Sequence, residues 1–183
     1  MTAETPPFVA TSSQTVGPFF HVGPGASDAL GRIAQPDTPG VHITLAIRVI
    51  DGDGAAVPDA MIEVRQADAA GQFADSPGFS GFGRLSTDAD GWCRFDTVKP
   101  GAVADSGVTQ APHVTICLFA RGMLRHVYTR LYFAGDGALE SDPLLALVPP
   151  ERRATLVAEP TGPATWQLVI QLQGPGETVF FDV

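Results

Sequence analysis

Besides its carboxylates, the side chains able to ligate a metal are few in this chain of 183 residues, which has four histidines, two cysteines and two tyrosines. Tyr128 and Tyr132 stand four residues apart in VYTRLYF, a run that reads as a strand. At about 3.3 Å per residue they share a face but lie roughly 13 Å apart. Two phenolates at that separation cannot bind one metal ion. His21, His42, His113 and His126 have no histidine or carboxylate two residues further on. A lone strand histidine such as His113 reads as a satisfied hydrogen-bonding group, with ligation as the alternative. Cys93 and Cys117 sit in apolar-alternating runs and read as buried, reduced thiols.

Other patterns resolve into turns. Asp51-Gly52-Asp53-Gly54 and Asp88-Ala89-Asp90-Gly91 suggest calcium, but a calcium-binding loop needs Gly sixth and Glu twelfth, and here Gly is fourth with Ile62 and Lys99 at the twelfth places. They read as Asx-Gly turns. The run GFSGFG puts Phe82 where a serine nucleophile elbow needs Gly, and no helix follows it. Arg121, in FARGM, falls at a tight turn between two strands and reads on its own as a solvated loop arginine. Arg152 and Arg153 read as a solvated face, and Arg125 and Arg130 flank or enter a strand without a usable pattern.

Charge narrows the partners. The chain carries 20 acidic and 11 basic residues, a net −9 with pI near 4.7. That balance works against nucleic acid and anionic lipid surfaces. Lys99 is the only lysine, so any cationic site must be built from arginine, whose planar fork suits carboxylates. No apolar run is long enough for a membrane helix, and MTAETPPFVA lacks the features of a secretion signal, so the expected location is cytoplasmic.

The elements that must position these groups are strands. Residues 1–40 carry six prolines and little periodicity, and they read as an N-terminal arm of the same domain rather than a folded half. A single sandwich domain is expected over residues 41–183. Its strands are the alternating run from Ile43 to Val49, then Met61–Asp68, Trp92–Val98, Val114–Ala120, Val127–Phe133, Thr165–Gln173 and a short closing strand at Thr178–Asp182. One short helix is expected from Pro150 to Ala158. The fold class is all-β, an antiparallel β-sandwich.

The blocks TSSQTVGPFFHVG, PDTPGVHITLAIRVIDGDGAAVPDAMIEVRQADAAGQF, GRLSTDADGWCRFDTVKPG, APHVTICLFARG, TRLYF and GPGETVFFDV together resemble the intradiol ring-cleaving dioxygenases. Several are of the kind found in the alpha chain of two-chain members. The resemblance implies a β-sandwich enzyme subunit that pairs with a beta chain in a higher alpha-beta oligomer. It also implies that Fe(III) is held by the beta chain, through two tyrosines and two histidines. The implied reaction uses O2 to cleave protocatechuate between its two hydroxyl-bearing carbons, giving 3-carboxy-cis,cis-muconate.

Departures from the family pattern imply that this chain binds no metal of its own. Iron-binding members carry Tyr, Arg and a second His at the places matched here by Val103, Gln110 and Thr115, and the remaining ligand tyrosine would fall in the tyrosine-free stretch between Phe73 and Phe82. His113 alone is kept, as a relic of a ligand position. The resemblance further implies that Thr15, Gly17 and Pro18 of the arm, together with Arg121, wall the substrate pocket of the partner chain. Two readings from other classes remain: a non-enzymatic sandwich serving as carrier or interaction module, and a self-sufficient catechol dioxygenase. The TVGPFF arm opposes the first and the missing tyrosines oppose the second.

Overall fold

Alternating burial organises the chain. The structure, a computed structural model, describes residues 11–15, 23, 27–73, 76–105 and 107–182. Its first strand, β1 (His42–Ile50), buries Ile43, Leu45, Ile47 and Val49 on one face, as the period-2 pattern predicts. The others are β2 (Met61–Gln66), β3 (Phe82–Ser86), β4 (Trp92–Val98), β5 (Val103–Asp105), β6 (Val108–Gln110), β7 (His113–Phe119), β8 (Val127–Phe133), β9 (Val157–Pro160) and β10 (Thr165–Gln171). Eight of them form one sheet in the order β3-β2-β7-β8-β9-β10-β1-β4, while β5 and β6 form a separate hairpin.

The sheet doubles over. Ile62, Val64, Ile116, Leu118 and Leu131 from one end share a single core with Leu45, Ile47, Phe95, Leu168 and Ile170 from the other. β9 makes the fold-over: Val157 and Ala158 pair with Tyr132 and Phe133 of β8, whereas Glu159 and Pro160 pair with Gln167 and Trp166 of β10. Gln66 ties the layers from within. Its amide donates to the Val98 carbonyl at 2.9 Å, and its Oε1 accepts from Thr97 at 2.9 Å.

The all-β sandwich expected from sequence is present, but its sheet is mixed. β1 runs parallel to β10, and β8 parallel to β9. The helix expected from Pro150 to Ala158 is corrected to a 3-10 segment, Pro150–Leu156, because Val157 and Ala158 are drawn into β9. Among the described residues α-helix is confined to one turn, α1 (Pro143–Ala146). The closing strand expected at Thr178–Asp182 is reduced to a bridge between Phe181 and Tyr128. β3, β9 and the β5/β6 hairpin were not anticipated.

The Asx turns are as expected. Asp51 Oδ1 accepts from the amides of Asp53 at 3.0 Å and Ala55 at 2.9 Å, and Asp88 Oδ1 from Asp90 at 3.0 Å and Trp92 at 2.8 Å. Both carboxylates are thus committed to their own backbone. Cys93 and Cys117 are free and buried, with burial the main cause that pushes their thiols up to about 12 and about 11. Residues 28–38 are laced to the sandwich: Ile33 donates to Asp96 O at 2.8 Å, Gln35 to Gly78 O at 2.7 Å, and Ile33 and Ala34 enter the core. Among the described residues no helix is long and apolar enough to cross a membrane.

Asp142 is fully buried beside the smaller core cluster of Ala111, Tyr132 and Leu145. Its carboxylate caps α1 by accepting from Leu144 and Leu145 at 3.0 and 2.9 Å, and it also accepts from Ala111 N at 2.8 Å and Tyr132 OH at 3.1 Å. Asp142→Ala strands these donors and should cost about 3 kcal/mol in urea unfolding. Leu147→Ala, at an exposed residue one position beyond α1, should change stability by less than about 0.5 kcal/mol.

Candidate functional site

β7 separates two candidate regions. His113 is its first residue and Arg121 lies two residues past its last. Eight residues of extended chain place the two roughly 25 Å apart. One small substrate cannot touch both.

At the His113 end the strands gather the positions where a metal centre was sought. Val103, Gln110, His113 and Thr115 line one cavity of about 350 Å3, together with Phe73 and Arg130. Their chemistry does not fit a ferric tyrosinate centre. Val103 offers no donor atom and Thr115 only a neutral hydroxyl. Gln110 Oε1 accepts from Arg130 Nη1 at 2.7 Å, and His113 Nδ1 donates to the Ala111 carbonyl at 2.8 Å. The tyrosines of β8 go elsewhere: Tyr132 is buried against Leu145 and Leu156 and donates to Asp142, while Tyr128 meets the His126 ring edge-on at 5.1 Å. Among the described residues no three His, Cys, Asp or Glu side chains cluster to hold a metal.

His113 is only 3% exposed, and burial first, then the Arg130 charge, push its pKa below the usual 6.5. The folded chain therefore keeps the ring neutral where the unfolded chain takes up a proton. Stability should fall as pH drops through about 6.5, since the unfolded state binds more protons there. Unfolding free energies measured by urea between roughly pH 7.5 and 5.5 should give a flatter slope for His113→Gln than for the unaltered chain.

At the other end, Ala120–Met123 closes a tight turn, with Met123 N donating to Ala120 O at 3.2 Å. Gly122 adopts φ 85°, a conformation that favours glycine. Its amide donates to Thr15 Oγ1 at 2.8 Å, so Thr15 is moored beside Arg121. Arg121 Nη2 meets Asp59 Oδ2 at 2.9 Å, with the arginine side chain 65% exposed. Asp59 is itself left-handed at φ 56°, and its backbone amide donates to Thr87 O at 3.0 Å. The structure thus brings Thr15 and Arg121 together, whereas Gly17 and Pro18 lie outside the described residues.

Sequence reasoning missed Asp59 as the partner of Arg121, because 62 residues separate the pair. It also passed over Arg130, whose alternation with Tyr128 and Tyr132 on β8 was the available signal.

The chain matches the family described as Dioxygenase over residues 15–171. It is 44% identical to the protocatechuate 3,4-dioxygenase alpha chain of Burkholderia cepacia, over 94% of this chain and 97% of that one. It is 34% identical to the beta chain from the same organism, covering 80% of this chain and 65% of the relative. Among solved structures, the dioxygenase domain of a carbohydrate-binding fusion protein from Streptomyces sp. SirexAA-E has the same fold, with a TM-score of 0.63 at 22% identity, over 90% of this chain and 99% of that domain. Likeness of that extent, carried on this sandwich, makes the chain a member of the intradiol ring-cleaving dioxygenase family, similar to the protocatechuate 3,4-dioxygenase alpha chains.

Proposed function

We propose that this chain is the non-iron-binding alpha subunit of a protocatechuate 3,4-dioxygenase. Paired with a beta chain in a higher alpha-beta oligomer, it takes part in opening protocatechuate with O2 between the two hydroxyl-bearing ring carbons. Both oxygen atoms enter the product, 3-carboxy-cis,cis-muconate. Fe(III) belongs to the beta chain in this reading, since the donor set around His113 does not suit it. The observation that carries the reading is the alpha-chain likeness over 94% of the sequence.

The part assigned to this chain is the wall of its partner's pocket, formed by Thr15, Gly17, Pro18 and Arg121. Thr15 is moored to the Arg121 turn through Gly122 N, so arm and arginine would present one surface. On that surface the Arg121 guanidinium binds or orients the substrate carboxylate, a planar fork meeting two oxygens. In a chain of net −9, it supplies locally the charge that the whole molecule lacks. Residues 1–40 form the arm that reaches the partner, with positions 28–38 as its root on the sandwich.

Iron content, visible absorbance and protocatechuate turnover, measured on this chain alone and on the chain co-expressed with a beta chain, test the assignment. Colour, iron and activity only in the complex are expected. Stoichiometric iron with turnover in the isolated chain would overturn it.

Within the complex, Arg121→Ala should raise KM for protocatechuate about three- to tenfold and weaken its salt dependence. Asp59→Asn, which keeps a residue type tolerant of the left-handed backbone, frees the guanidinium and should lower KM about twofold. Steady-state kinetics at two ionic strengths reads both, and an unchanged KM in both variants would remove Arg121 from the pocket.

A further inference from the structure

The cavity at the start of β7 has a use unconnected with iron. Thr115 pairs in register with Arg65 of β2 on one side and Arg130 of β8 on the other. Directly paired residues project to the same face, so two guanidiniums flank one hydroxyl in a row across three strands. Arg130, Thr115, His113 and Gln110 line the cavity, and the Arg65 guanidinium lies 5.8 Å from the ring of Phe73, which closes the same cavity at its rim.

Among the described residues no carboxylate pairs with the charge here. Arg130 meets neutral acceptors, Gln110 Oε1 at 2.7 Å and Tyr132 OH at 3.4 Å, both through Nη1. The ion pairs among the described residues join Arg84 to Glu63, Lys99 to Asp136 and Arg121 to Asp59, and none of them includes Arg130 or Arg65. Asp142, reached from Arg130 only through Tyr132, already accepts from Ala111, Leu144, Leu145 and Tyr132. A half-buried Arg130 guanidinium and an exposed Arg65 guanidinium, on either side of the Thr115 hydroxyl, attract an anion even in an acidic chain.

The remaining walls say what the anion is attached to. His113, which lines the cavity, donates Nδ1–H to the Ala111 carbonyl, which leaves Nε2 of the neutral ring as an acceptor with no donor to it among the described residues. Phe73 is half-exposed and offers an aromatic edge at the mouth, and Val103 lines the interior. A volume of about 350 Å3 lies within the roughly 300–1,000 Å3 range of small-molecule sites.

We propose that this cavity is a second, non-catalytic site for a small aromatic carboxylate bearing a ring hydroxyl. The carboxylate lies between Arg130, Arg65 and Thr115, and the ring hydroxyl donates toward His113. The site is distinct from the Arg121 surface, at the opposite end of β7, and needs no partner chain.

The test is titration of the full chain with 4-hydroxybenzoate by calorimetry and by NMR of the histidine ring signals, with benzoate and inorganic phosphate as comparison probes. Saturable one-to-one binding is expected, with the His113 signals moving. Benzoate should bind several-fold more weakly. Arg130→Gln and the exposed Arg65→Gln should each weaken binding about tenfold through loss of a charge-assisted hydrogen bond, while Arg121→Ala leaves it unchanged. Should Arg130→Gln fail to fold, Arg65→Gln, Thr115→Val and the His113 signals of the unaltered chain carry the test. No saturation by about 10 mM, a weak limit on the affinity scale, would overturn the proposal. So would binding indifferent to Arg65→Gln and Thr115→Val, or phosphate binding as tightly as the aromatic acid.

Discussion

Everything in this molecule depends on a sheet being forced to face itself, and the force acts at Val157–Pro160. The strand there spends its first residues on β8 and its last on β10, so a continuous ladder of backbone hydrogen bonds turns the corner between two layers. Buried N–H and C=O groups must be paired, and a corner made by switching partners keeps them paired where a loop would not. Pro160 sits where the strand leaves the ladder, the position at which a missing N–H does least harm. Once the layers face each other, Leu45, Ile47, Phe95, Ile116, Leu118 and Ile170 lose their water together. That shared burial is the main favourable term for the fold.

The same architecture decides what the chain can and cannot do. β7 is a central strand, paired on both sides, so its two ends are fixed at opposite rims. Whatever acts at Arg121 cannot cooperate on one small molecule with whatever acts at His113. The His113 rim holds a cavity lined by a valine, a threonine and an amide rather than by a set of metal donors, and Arg130 lines the same space. A guanidinium there also opposes a cation electrostatically. It acts against protonation of His113 in the same way.

How much of this was legible follows from the range of each interaction. The turns at Asp51 and Asp88 could be read because the carboxylate bonds amides two and four residues away. β1 and β10 could be read because each keeps one face apolar. β3 was missed because Gly83 and Arg84 break its apolar pattern. β9 was missed because Val157 and Ala158 also satisfy a helical reading, and only pairing with Tyr132 and Phe133 decides between them. Parallel register between β1 and β10 has no local signature at all. At the site, Arg121 was visible as an arginine in a turn, and the family resemblance drew attention to Thr15. Their meeting through Gly122, and the Asp59 that holds the arginine, are tertiary facts that no spacing encodes.

Asp59 gives the arginine a defined resting place without committing it. An ion pair with one partner 65% exposed is worth little net, of order 0–1 kcal/mol, because water competes for both ends. The aspartate therefore steadies the guanidinium but does not trap it. On the proposed reading, a substrate carboxylate that displaces Asp59 exchanges one carboxylate for another on the same fork, so the geometry Arg121 needs is rehearsed before substrate arrives. The left-handed backbone of Asp59 and its bond to Thr87 fix the direction from which that carboxylate approaches. A weak pair in a fixed place is what a release-and-capture arginine requires, and a buried, stronger one would have removed it from use.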